Sequence, residues 1–113
     1  MKKYLLILFD TNENYEAMTP DDYQKEIELH GKWIQELGEH YDSGEALEEP
    51  SKTIRGKELL VTDGPFIEAK ELVGGFYVIR ANSFEEATDL AKGCPTLRLG
   101  GAVEVRPIMH IEM

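Results

Sequence analysis

A chain of 113 residues has room for one domain, and its 42% hydrophobic and 30% charged residues are the usage of a folded protein, not a disordered one. Its 22 acidic residues against 12 basic ones give a formal net charge of −10, a field that repels nucleic acid and anionic membrane surfaces, and no basic stripe with interleaved aromatics offsets it. Cys94 is the only cysteine, so an internal disulfide is excluded and a reducing, cytoplasmic setting is expected.

Residues 3–9 are apolar on both alternations, with Leu5, Ile7 and Phe9 on one face and Tyr4, Leu6 and Leu8 on the other. That pattern predicts a strand covered on both sides. The run stops at Asp10, too short for a membrane span and without a small-residue cleavage site, so it reads as a strand and not a leader. Thr19-Pro20-Asp21-Asp22 predicts a helix start: Thr19 caps, Pro20 suits the first turn, and the aspartates face the positive end of the dipole. Tyr23, Ile27, His30, Ile34 and Leu37 recur at helical spacing as far as Gly38, which places His30 in the middle of an apolar stripe.

Residues 41–47 read as a weaker extended segment, and residues 53–62 as a hairpin turning at Gly56-Lys57. Asp63-Gly64-Pro65 breaks the chain, and residues 66–73 read as a charged, irregular stretch. Residues 76–79 are again apolar on both faces and predict a central strand. Ser83 with Glu86 predicts a capping box, and Phe84, Ala87, Leu90 and Ala91 form the core face of the second helix. Residues 103–107 close the order as a strand with one polar face. Two helices can cover only one face of a four- or five-stranded sheet. Strands apolar on both faces then need a second cover, and a second copy of the chain supplies it. The expectation is a ferredoxin-like α+β domain spanning residues 1–113: an antiparallel sheet, two helices on one face, and a homodimer joined through the open sheet face.

Few residues carry candidate chemistry. An imidazole titrates near neutrality, so His30 can serve as a proton acceptor or donor; it can equally be a packed histidine with a satisfied partner. Asp63 can orient an imidazole, or simply serve the turn ahead of Gly64-Pro65. Glu68, Lys70 and Glu71 can form a polar rim over a pocket or a solvated loop. Arg80, Arg98 and Arg106 offer planar guanidinium groups to an anionic ligand, or ordinary ion pairs. His30, His40 and His110 lack metal-ligand spacing, and no phosphate-binding glycine loop occurs, so neither metal nor cofactor is expected. His40 and Asp42 read as solvated surface. Cys94, after a helix C-terminus, is expected to have a raised thiol pKa and little nucleophilicity.

The segment Val61-Thr62-Asp63-Gly64-Pro65-Phe66-Ile67-Glu68-Ala69-Lys70-Glu71-Leu72-Val73-Gly74-Gly75-Phe76 resembles the signature of the DGPF proteins, the YCII-related domain family. The opening strand, the His30-Gly31 pair and the closing strand also match that family's layout. The resemblance implies a dimeric α+β barrel, and a related dehydrochlorinase implies a metal-free His/Asp acid/base pair. On that basis His30 and Asp63 are the expected catalytic pair, with Glu68, Lys70 and Arg106 as substrate contacts. The expected activity is lyase, isomerase or dehydrochlorinase-like chemistry on a small molecule. A non-catalytic binding or regulatory module tied to sigma-factor signalling is the alternative.

Overall fold

The elements follow from the apolar runs and caps of the sequence. In a computed structural model that describes residues 1–11, 17–65 and 71–112, they are β1 (Lys2–Thr11), α1 (Pro20–Leu37), β2 (Tyr41–Ala46), β3 (Lys52–Arg55), β4 (Leu60–Asp63), β5 (Glu71–Ala81), α2 (Phe84–Ala91) and β6 (Ala102–Pro107). A four-stranded sheet runs in the order β2-β5-β1-β6, and β3 and β4 form a separate two-stranded hairpin. Every neighbouring pair in both sheets is antiparallel. Two strand–helix–strand units interleaved in this order make a ferredoxin-like α+β fold, with the β3–β4 hairpin inserted between its second and third core strands.

Both helices begin at the expected caps. The Thr19 hydroxyl accepts from the Asp22 amide and the Asp22 carboxylate accepts from the Thr19 amide, both at 3.1 Å. Ser83 Oγ accepts from the Glu86 amide at 3.1 Å, but Glu86 reaches one residue further back than a capping box does and takes the Asn82 amide at 2.9 Å. Four other expectations need correction. The hairpin turn spans residues 56–59, not two residues, and carries positive φ at Gly56 and Leu59. β5 starts at Glu71, inside the stretch read as irregular, because pairing with β1 continues through Thr11↔Glu71. Phe84 is half-exposed and stacks on Tyr4 at the margin of the core, with ring centroids 6.1 Å apart. The stripe of α1 is not buried along its length: Trp33 and Leu37 are its buried residues, while Tyr23 and Ile27 stand half in solvent.

The core lies between the helices and one face of the sheet. Tyr4, Leu6 and Leu8 of β1 and Tyr77, Ile79 and Ala81 of β5 meet Trp33 and Leu37 of α1 and Ala87 and Ala91 of α2. Leu6 and Ile79 are fully buried, and each such side chain contributes roughly 1.5–3 kcal/mol by leaving water. The alternate residues, Leu5, Ile7 and Phe9 of β1 and Val78 of β5, turn to the opposite face and remain partly exposed. No element among the described residues covers them.

Because each cap satisfies an otherwise orphaned helix donor, Thr19→Ala and Ser83→Ala are each expected to lower the unfolding free energy by about 1 kcal/mol. Urea denaturation with an unchanged m-value is the measurement, and unaltered midpoints in both variants would contradict this assignment of the caps.

Candidate functional site

On the helix side of the sheet, between the first turns of α1 and the adjoining ends of β1, β2 and β5, lies a cavity of about 450 Å³. Its polar lining includes Asp10, Glu26, His30, Tyr41 and Tyr77. Helical spacing puts Glu26 and His30 four residues apart on one face of α1, so both look into the same space. The stripe residues Tyr23, Ile27 and Ile34 line it too, which is why they escape full burial.

His30 is held from below. Its Nδ1 and the Tyr77 hydroxyl are hydrogen-bonded at 2.7 Å, and the two rings stack with centroids 5.9 Å apart. Tyr77 is fixed in turn by Trp33, edge-on at 5.0 Å, and by Tyr41, edge-on at 6.3 Å. Its position depends on Gly44, which faces it across the β2–β5 ladder. A Cβ on residue 44 would come within 2.5 Å of Tyr77 Cδ1 and 2.9 Å of the Phe76 carbonyl oxygen. The glycine thus leaves room for the ring that carries the imidazole.

Asp10 is placed by a different device. The β1–β5 register slips between Leu8 and Phe9, which pair with Gly75 and Val73, so Gly74 is an extra residue in β5. A bulge of this kind re-aims the side chains beside it. The Asp10 carboxylate occupies the space a side chain at 74 would fill, since a Cβ there would lie 2.0 Å from Oδ2.

The electrostatics follow from burial. Removal from water pushes the His30 pKa below its ordinary 6.5, against the opposing pull of the Glu26 and Asp10 charges. Burial likewise raises the Asp10 pKa above 3.8; the His30 charge counters that rise and the Glu26 charge adds to it. Tyr77 is driven far up by burial, so its phenol keeps the proton at neutral pH. Two tautomers of neutral His30 satisfy the Tyr77 bond. When Nδ1–H donates to Oη, Nε2 is a free base; when the phenol donates to Nδ1, Nε2 carries the proton. The Arg98 guanidinium pairs with the largely buried Glu26, so that carboxylate is partly balanced.

The expected residues fare unequally. His30 lies in the cavity wall. Asp63 does not join it within the chain: it ends the β3–β4 hairpin, is exposed, and accepts from Lys52 Nζ at 2.8 Å. The reason is the insertion of that hairpin, whose strands pair with each other and not with the sheet that bears Tyr77. Arg106 is also away from the cavity. It pairs with Leu5 in the register, on the face opposite the helices, and approaches Glu104 at 3.6 Å. Glu68 and Lys70 lie outside the described residues. Arg80 pairs with Asp42, and His40 meets the Arg80 carbonyl at 2.7 Å, so His40 and Asp42 are partly buried structural groups and not solvated surface. The Cys94 thiol pKa is raised as expected, but burial is the main cause, not the helix dipole. Among the described residues no group of three or more His, Cys, Asp or Glu is arranged to hold a metal ion.

Asp10, Glu26 and Tyr77 are the site residues the sequence reading missed. The spacing of Glu26 from His30 was a usable signal. Asp10 looked only like the end of an apolar run, and Tyr77 like core filling.

Comparison with known proteins agrees with this architecture. The dehydrochlorinase of 5-chloro-2-hydroxyhydroquinone from Burkholderia phenoliruptrix AC1100, solved with 2,5-dihydroxybenzoquinone, superposes with a TM-score of 0.57 over 96% of this chain and 94% of its own, at 16% identity. An uncharacterised protein of Rhizobium meliloti (strain 1021) is 44% identical over 52 residues, a match that takes in 45% of this chain and 42% of that protein. The profile of the YCII-related domain matches residues 4–112. The chain, matched along nearly its whole length, therefore belongs to the YCII-related domain family.

Proposed function

We propose that this chain binds a small aromatic molecule bearing ring hydroxyl or carbonyl groups in the cavity under α1, and that His30 exchanges a proton with it. The observation that carries the reading is the His30–Tyr77 hydrogen bond at the wall of an aromatic-lined cavity. The quinone bound by the structurally similar dehydrochlorinase supports the ligand class. With Nδ1 engaged by Tyr77, Nε2 takes a proton from a ring hydroxyl, and the electron pair left behind enters the conjugated ring. The Asp10 carboxylate offsets the charge on the imidazolium. Return of the proton at another position is an isomerisation; departure of a leaving group with that electron pair is an elimination. Asp10, not Asp63, supplies the carboxylate of the acid/base pair within one chain. The working unit in this reading is a homodimer, because the sheet face opposite the helices carries Leu5, Ile7, Phe9 and Val78 partly exposed, with no element among the described residues over them.

His30 titrates below 6.5 in the folded chain and near 6.5 when unfolded, so the unfolded chain binds more protons in that window. Stability held above pH 6.5 is therefore lost as pH falls through the window, and His30→Asn should lose less over the same interval. Proton NMR should place the His30 midpoint below 6.5, and Asp10→Asn, which removes a charge that raises it, should move it lower still. A midpoint that rises in Asp10→Asn would contradict the pairing of the two groups.

Gly44→Ala tests the support beneath His30. Overpacking of this kind costs about 1–3 kcal/mol, and displacement of the Tyr77 ring should move the His30 midpoint as well. A variant that is destabilised without any change in that midpoint would show that Tyr77 does not govern the imidazole.

Thermal-shift measurement with 2,5-dihydroxybenzoquinone and substituted hydroquinones tests the reading directly. A ligand at a hundred times its Kd stabilises the fold by about 2.7 kcal/mol, a Tm shift of roughly 10 °C for a chain of this size. His30→Asn should keep the fold and lose turnover on any compound the parent converts. Absence of a shift across the panel would rule out this ligand class, and full turnover by His30→Asn would rule out the acid/base role.

A further inference from the structure

The β3–β4 hairpin carries apolar side chains that stay exposed among the described residues. Ile54 and Val61 stand opposite each other across its two strands, and with Leu59 and Leu60 they are 53% to 69% exposed. A lone two-stranded hairpin is marginal in water and needs a third strand or a packing partner. Among the described residues, β3 and β4 pack most extensively against each other. The Lys52–Asp63 bond and the Thr53 hydroxyl's donation to the Gly64 carbonyl at 2.7 Å likewise stay inside the hairpin and its flank.

The dimensions point the same way. The radius of gyration is 15.6 Å, against about 13 Å for a compact domain of this length. The chain exposes 8509 Å², roughly 2,200 Å² more than a monomer of its mass ordinarily does. That excess is larger than the ~800 Å² each partner gives to a standard interface. The molecule is a slab of 45 × 41 × 18 Å, about one helix layer and one sheet layer thick, with the partly exposed Leu5, Ile7, Phe9 and Val78 on one side. Arm and face belong to one chain, so a single two-fold operation can cover both with a second copy.

We propose that the β3–β4 hairpin is an arm exchanged between two copies of this chain, packing the hairpin face that carries Ile54 and Val61 against the partner copy as the open sheet faces meet. The proposal rests on the homodimer reading and is independent of the ligand. It has a consequence for the site. The hairpin springs from the ends of β2 and β5, where Ala46, Leu47, Gly74 and Gly75 line the cavity, and the Leu47 amide donates to the Gly74 carbonyl at 3.0 Å. An arm held by the partner fixes this wall; a free arm leaves it to fluctuate. Like-charged copies, each at −10, repel, so apolar burial must carry the association and added salt should strengthen it.

Hydrogen exchange on the whole chain, at concentrations spanning dissociation and followed in parallel by sedimentation equilibrium, tests the arm. In the dimer the β3–β4 amides should be protected, and dilution to monomer should speed their exchange by about tenfold or more. The double variant Ile54→Glu/Val61→Glu should raise the dimer dissociation constant by about tenfold or more with an unchanged far-UV spectrum. Should that variant fail to fold, the concentration dependence in the parent chain decides alone. A dimer whose hairpin amides exchange at unprotected rates, or equal dimer affinity in the folded double variant, overturns the arm and leaves the dimer standing. A monomer at high micromolar concentration overturns both, while the His30 assays continue to report on the ligand reading.

Discussion

The shortage of helical cover shapes everything else in this molecule. The sheet has four strands and two faces, whereas the helices are of 18 and 8 residues and lie on one side. The shorter helix sits over β1, β5 and β6 with alanines turned inward, so it packs closely and leaves no space. The longer one stands off on large side chains, Trp33 and the Tyr77 beneath it. Where those aromatics end, toward the start of α1, the gap between helix and sheet stays open as the cavity. On the other side, no element among the described residues covers the sheet. One constraint therefore produces both a site on one face and an unfilled surface on the other.

Inside the gap, polar groups are kept by mutual support. A histidine buried beside two carboxylates is pulled both ways: desolvation disfavours its charge and Asp10 and Glu26 favour it. Asp10 feels the reciprocal forces. The result is a pair of groups whose titrations are drawn toward each other. Tyr77 adds a donor or acceptor that does not ionise, and Arg98 keeps Glu26 from burdening the cavity with a further unbalanced charge. The glycines complete the arrangement through what they lack. Residue 44 yields space to the Tyr77 ring and residue 74 to the Asp10 carboxylate. Each glycine weakens its own strand in making that room.

Much of the fold was legible because its signals are local. Caps at Thr19 and Ser83, the period of α1, and strands apolar on both faces each depend on residues within one or two turns, and the layer count then led to a ferredoxin-like sheet. His30 was legible as a candidate because a titratable side chain on an apolar stripe breaks a local pattern. The partners of His30 were not. Tyr77 is 47 residues away in sequence, and nothing local distinguishes a tyrosine that packs from one that also holds an imidazole. Asp10 enters the site through a register slip opposite Gly74, a fact of strand pairing that no single strand encodes. Asp63 was likewise beyond local reading: the hairpin it terminates pairs with itself, so within one chain its carboxylate meets Lys52 and not His30. The sequence by itself determined the elements, their caps and the acidic, cysteine-poor character of the chain, because those rest on neighbours along the backbone. Only the tertiary structure decided which carboxylate faces His30 and which apolar residues remain uncovered, because both are set by contacts between strands far apart in the chain.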